Sequence, residues 1–197
     1  MALSVAEIEH ARRRLEGVIK PTPLMRSETL DRMLDAEVYL KLENLQKTGS
    51  FKIRGAYNRI AALTPAEAAQ GVVAASAGNH GQALAYAATR AGIDATIVMP
   101  TTAAIAKVDA TRSYGQTVKL EGADYQAARV AAQALRARTG AIFVDAYDDV
   151  HVIAGQGTIG LEIADEIEPE VVIVPVGGGG LIAGIAVAIS ARAPHAE

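Results

Sequence analysis

The sequence predicts an α/β protein of two open, doubly wound parallel-sheet domains, the larger one incomplete. Three observations predict it. From residue 72 short β-rich runs alternate with helical stretches, the pattern of a parallel sheet with helices on its faces. Half of the 197 residues are apolar, with alanine, valine and isoleucine abundant, which suits close packing of helices on a sheet. The last helical stretch, "LIAGIAVAISARA" (181–193), is apolar on nearly every face, yet the parallel strand that should follow its crossover is absent.

Taken in order, Ser4 and Glu7 form a capping box that opens an amphipathic helix, with Arg12, Arg13 and Arg14 on its solvated face. An extended "IKPTPLMRS" (19–27) and a strand "EVYLKL" (37–42) follow. In "TGSFKIRGAYNRI" (48–60), Thr48 and Ser50 are expected to cap a helix through their hydroxyls, and Ala56, Ile60 and Ala61 begin its apolar spacing. Strands are expected at "VVAAS" (72–76), "ATIVM" (95–99), "TVKL" (117–120) and "AIFV" (141–144), with helices near 80–91, 103–114 and 123–138 between them. A helix around "GTIGLEIADEI" (157–167), the strand "VVIVPV" (171–176) and the final helix complete the chain. Residues 50–145 form the small α/β domain. Residues 1–49 and 146–197 form the incomplete large domain, so a fragment or truncated product is expected.

Composition removes several classes of function. A formal net charge of -3 and only eight aromatics give neither the basic footprint nor the stacking surface of a nucleic-acid binder, and no anionic-membrane patch. With no cysteine there is no disulfide, thiolate nucleophile or cysteine-ligated metal, and no metal site is expected. The N-terminal stretch lacks the apolar core of a signal peptide and no run approaches a membrane span, so a cytoplasmic protein is expected.

Three features carry chemistry. Lys52 lies in the first turn of a helix, where the dipole disfavours an ammonium by a few tenths to about 1 kcal/mol. Either its stem snorkels into solvent, or the site favours an amine that is neutral or bound as an imine. Gly177, Gly178, Gly179 and Gly180 join a buried-type strand to a helix, and successive backbone N–H groups there can converge on a phosphate. No Gly-Lys-Ser/Thr follows, so it is not a Walker loop. Gly178, Gly180 and Ala183 match G-x-G-x-x-A, which keeps a dinucleotide site as a rival; a tight turn alone explains one or two glycines better than four. The third feature is "SAGNHGQ" (76–82), where the amides of Ala77, Gly78 and Asn79 could hold a carboxylate beside the side chains of Asn79 and His80. The alternative is αL turn chemistry and capping. Together, a lysine, a phosphate cradle and a carboxylate loop meet the needs of pyridoxal phosphate and an amino-acid substrate.

The segments "KLENLQKTGSFKIRGA", "AASAGNHGQALAYAA", "DDVHVIAGQGTIGLEI" and "VPVGGGGLIAGIA" resemble, in the same order, the pyridoxal-phosphate-dependent threonine/serine dehydratases of the tryptophan-synthase-β-like fold (fold type II). The resemblance runs from about "IKPTPL" to residue 197. It implies that Lys52 is the Schiff-base lysine and general base, Phe51 packs beside the cofactor, and Asn79 hydrogen-bonds its phenolic oxygen. It also implies that Ser76, Ala77, Gly78, Asn79 and His80 form the substrate-carboxylate loop, and that Gly177, Gly178, Gly179, Gly180 and Leu181 hold the phosphate. The implied reaction converts L-threonine to 2-oxobutanoate and ammonia, and L-serine to pyruvate. Serine racemases share these motifs. Family chains continue beyond the equivalent of residue 197, into strands that complete the large domain; a homo-oligomer is expected at full length, and a non-catalytic fold fragment is the rival for the 197 residues themselves.

Overall fold

The computed structural model describes residues 3–197. In chain order the elements are α1 (Val5–Leu15), β1 (Leu24–Arg26), α2 (Glu28–Leu34), β2 (Tyr39–Lys41), two 3-10 turns at Glu43–Leu45 and Lys47–Gly49, α3 (Lys52–Ala61), α4 (Pro65–Gln70), β3 (Val72–Ala75), α5 (Asn79–Ala91), β4 (Ala95–Met99), α6 (Ile105–Arg112), β5 (Thr117–Leu120), α7 (Tyr125–Thr139), β6 (Ile142–Phe143), α8 (Val150–Glu166) and α9 (Gly180–Arg192). The capping box at α1 forms as expected: Ser4 Oγ accepts from Glu7 N, and Glu7 Oε2 accepts from Ser4 N at 2.8 Å. The same signature, Thr64 with Glu67 and Pro65 at the first position, opens α4, an element not anticipated from sequence.

A parallel sheet in the order β5-β4-β3-β6 is the centre of the fold. Strand alternation sorts its two faces. Val72, Ala74, Ile97 and Met99 pack with Ile53, Ala56 and Ile60 of α3, Ala83 to Ala88 of α5, and Val108 of α6. Val73, Ala75 and Val98 face Ala128 and Ala132 of α7. After β3 the chain winds outward through β4 and β5, then returns through α7 to place β6 on the other side of β3. That reversal is a topological switch point, and in such sheets the crevice beyond the carboxyl ends of the two flanking strands is where ligands bind. The loops leaving β3 and β6 therefore lie side by side.

β1 and β2 form a separate antiparallel pair, Leu24 opposite Lys41 and Arg26 opposite Tyr39. Around the sheet's α3 face, α8 is the supporting post. Its glycines remove the side chains that would hold neighbours away. A Cβ on Gly155 would meet Arg54 O at 2.5 Å and Gly55 Cα at 2.6 Å, and one on Gly184 of α9 would meet Gly157 N at 2.6 Å. Thus α8 touches α3 on one side and α9 on the other at backbone distance.

Two expectations are corrected. "VVIVPV" forms no strand and joins no sheet among the described residues; it pairs with the chain end, through Val172 N to Glu197 O and Glu197 N to Glu170 O, each 2.9 Å. A strand needs a neighbour to form a ladder, and none lies alongside Ile173, which is 90% exposed. Ala61 is exposed too, because the buried stripe of α3 runs through Ile53, Ala56 and Ile60 instead. The final helix buries Gly184, Ile185, Ala188 and Ile189 and leaves Ile182 exposed.

Candidate active site

The segment before Lys52 is fixed by Gln46. Its buried amide accepts from Lys20 N and Lys47 N, both at 2.9 Å, and donates to Lys20 O at 2.8 Å. The chain then turns through Thr48 (φ 62°) and Gly49 (φ 73°), runs extended at Ser50, and starts α3 with Phe51 as N-cap. The expected hydroxyl caps do not form. Thr48 Oγ1 and Ser50 Oγ are buried with no hydrogen-bond partner, because Phe51 already has helical dihedrals and separates both hydroxyls from the first-turn amides. Buried hydroxyls without partners are costly, so their presence beside Lys52 points to a polar ligand that completes them.

Lys52 is the first residue of α3, half-buried, with Nζ donating to Ala146 O at 2.8 Å and lying 5.2 Å from the centre of the Phe51 ring. Burial lowers the pKa of its amine below the ordinary lysine value, and the nearby Asp145 carboxylate partly opposes this. Phe51 itself packs towards the apolar cluster of Ile159, Ile185 and Ile189, as does Leu181.

The β3–α5 loop is organised by Ser76. Its buried Oγ accepts from Gly78 N at 3.2 Å and Gly81 N at 3.0 Å, which fixes the helix start. Ala77 and Gly78 are partly exposed and Asn79, at the first position of α5, is exposed. His80 is buried, and its Nε2 lies 3.1 Å from Val144 O. A carbonyl only accepts, so Nε2 carries the proton and Nδ1 is a bare acceptor, unpartnered in the interior. Burial pushes the His80 pKa down to about 4, so the ring is neutral at pH 7.

The glycine loop leads into α9 with Gly179 as N-cap at φ 89°. A Cβ on Gly178 would collide with the Tyr147 ring, and one on Gly180 would meet Tyr147 O at 2.7 Å, whereas Gly177 and Gly179 face open space. The first amides of α9 have no intrahelical partners and, with the helix dipole, favour an anion. The three motifs thus meet at one place that sequence reasoning missed, the turn after β6. Val144 O takes His80, Ala146 O takes Lys52, and Tyr147 packs on the glycines. A separate cleft lined by Arg12, Thr22, Lys41, Glu162 and Glu166 contains none of these residues.

Residues 15–197 match the family model described as pyridoxal-phosphate dependent enzyme. The chain belongs to this family of pyridoxal-phosphate-dependent enzymes. Among its members, the L-threonine ammonia-lyase of Thermotoga maritima is 53% identical over 196 residues, covering 99% of this chain and 49% of the relative. Among solved structures of the family, maize serine racemase superposes with a TM-score of 0.95 at 37% identity, over 99% of this chain and 60% of that one. The processed form of threonine deaminase isoform 2 from Solanum lycopersicum gives 0.91 at 38%, over 100% and 56%. The chain spans about half the length of the curated relatives it matches.

The residues present fit the family's cofactor. An amine shifted towards its neutral form, a glycine loop open at Gly177 and Gly179, and unpartnered polar atoms on Thr48, Ser50 and His80 supply an imine partner, an anion cradle and unsatisfied hydrogen-bonding groups. Among the described residues no group of three or more His, Asp or Glu is placed to hold a metal, and no helix is long and apolar enough to cross a membrane.

Proposed function

We propose that this chain carries the reactive lysine and both anion loops of a deaminating lyase that converts L-threonine to 2-oxobutanoate and ammonia, with L-serine going to pyruvate. The observation that carries the reading is Lys52: a half-buried amine with a lowered pKa, held at the turn where the carboxylate loop and the glycine loop meet. Identity of 53% to a relative named L-threonine ammonia-lyase supports the choice of substrate.

When bound, pyridoxal phosphate supplies an electron sink that makes the substrate's Cα–H bond acidic. The chain's own residues do the rest. Lys52 Nζ would hold the cofactor and, as a free amine, would take the substrate's α-proton, a role that a lowered amine pKa favours at neutral pH. Amides of the Ser76–His80 loop bind the substrate carboxylate, with Ser76 Oγ fixing the loop from below. Asn79 would orient the cofactor ring, Phe51 would pack beside it, and the amides of Gly177 to Leu181 would bind its phosphate. The β-hydroxyl leaves as water and one water is taken up as ammonia departs, so nothing besides the amino acid is consumed.

Superposition on maize serine racemase supports a second reading, racemisation of serine. One experiment separates them: the full chain is incubated with pyridoxal phosphate and L-threonine or L-serine, and 2-oxobutanoate, pyruvate and D-serine are assayed. Oxo-acid formation that disappears in Lys52→Ala supports the lyase. D-serine as the main product selects the racemase, and turnover retained by Lys52→Ala overturns both.

A further inference from the structure

We propose that Asp145 is a positioning residue for Lys52, its carboxylate building the 145–148 turn while Arg129 holds that carboxylate in place. The inference rests on the reading of Lys52 as the reactive amine. Asp145 is only 7% exposed and uses both oxygens. Oδ1 accepts from Tyr147 N and Asp148 N, both at 3.1 Å, which closes the turn; Oδ2 receives Arg129 Nη1 at 2.8 Å. The guanidinium is in turn seated 5.3 Å from the centre of the Phe143 ring in β6. The turn that Asp145 closes presents Ala146 O to Lys52 Nζ and lays Tyr147 against Gly178 and Gly180. One carboxylate therefore sets the amine's hydrogen-bond partner and the wall of the glycine loop together.

Charge supports the geometry. Asp145 favours the protonated amine of Lys52 against the effect of burial; burial also opposes the charge on Asp145, but the turn amides and Arg129 outweigh it and hold its pKa below the ordinary carboxylate value. The other groups packed here do not compete: His80 is neutral, and Asp149 is paired with Arg59 at 2.9 Å. Arg129 thus acts on Lys52 through the carboxylate it holds.

The test reads Lys52 without the cofactor. Lysines of the full chain are reductively 13C-methylated, the Lys52 signal is assigned with Lys52→Arg, and its titration is followed by NMR. Asp145→Asn keeps an acceptor for the turn but removes the charge, and is expected to lower the Lys52 midpoint by about one pH unit. Arg129→Gln releases the carboxylate that Arg129 holds and is expected to lower the midpoint in the same direction by a smaller amount. A midpoint that stays put or rises in Asp145→Asn overturns the inference. Should Asp145→Asn fail to fold, Arg129→Gln alone decides, a downward shift supporting the inference and no shift or an upward one overturning it. Borohydride trapping of pyridoxal phosphate on Lys52 in the unaltered chain is scored separately. Its failure counts against the reactive-amine reading, and leaves the titration to judge Asp145.

Discussion

Arg54 grips both oxygens of Glu162, Nη1 to Oε1 at 2.5 Å and Nη2 to Oε2 at 2.9 Å, although the two residues are 108 positions apart in sequence. The same guanidinium takes both oxygens of Glu43, Nε to Oε2 at 2.9 Å and Nη2 to Oε1 at 2.7 Å, and is fully buried. Two residues after Lys52, this fork ties α3 to α8 and to the turn after β2. Arg54→Ala strands two mostly buried carboxylates and should cost about 3–5 kcal/mol, read as a fall in the urea midpoint. Arg54→Lys should recover only part of that, since an ammonium lacks the planar fork.

The same pair fixes an acid limb of stability. Against the upward push of burial, Arg54 and Lys41 hold the Glu162 carboxyl below its ordinary value of 4.5. A group depressed on folding contributes stability that is fully present above its unfolded value and lost as pH falls through the folded one. Stability should therefore decline below about pH 4.5, and Glu162→Gln, less stable at neutral pH, should show a shallower acid decline in denaturant titrations at stepped pH.

Because burial lowers the Lys52 amine, capture of pyridoxal phosphate should rise with pH along a midpoint below the ordinary lysine value of 10.5. Only the neutral amine attacks an aldehyde, so the reactive fraction grows as pH climbs to that midpoint and then levels. Rates of absorbance change on mixing, taken across pH, give the midpoint. A value at or above 10.5 would remove burial as the cause.

Glycines in the loop and the post separate by what surrounds them. Gly155→Ala inserts a methyl between α8 and the backbone of Arg54 and Gly55, and should destabilise by about 1–3 kcal/mol through overpacking. Gly178→Ala drives into the Tyr147 ring and should weaken cofactor binding. Gly177→Ala, facing open space at an ordinary φ, should change the unfolding free energy by no more than about 0.5 kcal/mol. Urea titrations of the three variants, with cofactor fluorescence for Gly178→Ala, check the order.

Val171, Ile173 and Val176 are exposed in a segment whose backbone, outside Val172, has no hydrogen-bonded neighbour among the described residues. Such an edge templates pairing between chains. Light scattering of the 197-residue chain should show self-association that Ile173→Lys reduces.

Much of this was legible in the sequence, for reasons tied to particular residues. Strand runs such as "ATIVM" and helices opened by Ser4–Glu7 are local, and local patterning places them to within a residue or two. Lys52 and Gly177 to Gly180 stand out because a cation at a helix start and four consecutive glycines need a reason. The turn at Asp145–Asp148 did not stand out. Its contacts span 94 residues to Lys52 and 64 from Val144 to His80, and no spacing rule links "DAYD" to either. Thr48 and Ser50 misled because a hydroxyl before a helix usually caps it, and only the dihedrals of Phe51 reveal that these do not. "VVIVPV" has strand composition, but a ladder is a property of two segments.

The glycines of α8 have a mechanical meaning. At Gly155 against Gly55 and Gly157 against Gly184, main chain meets main chain between the lysine-bearing helix, its post and the helix that follows the glycine loop. The spacing between amine and anion cradle is then a gauge length set by backbone thickness. At those two points a substitution that adds a side chain lengthens it by forcing main chain apart.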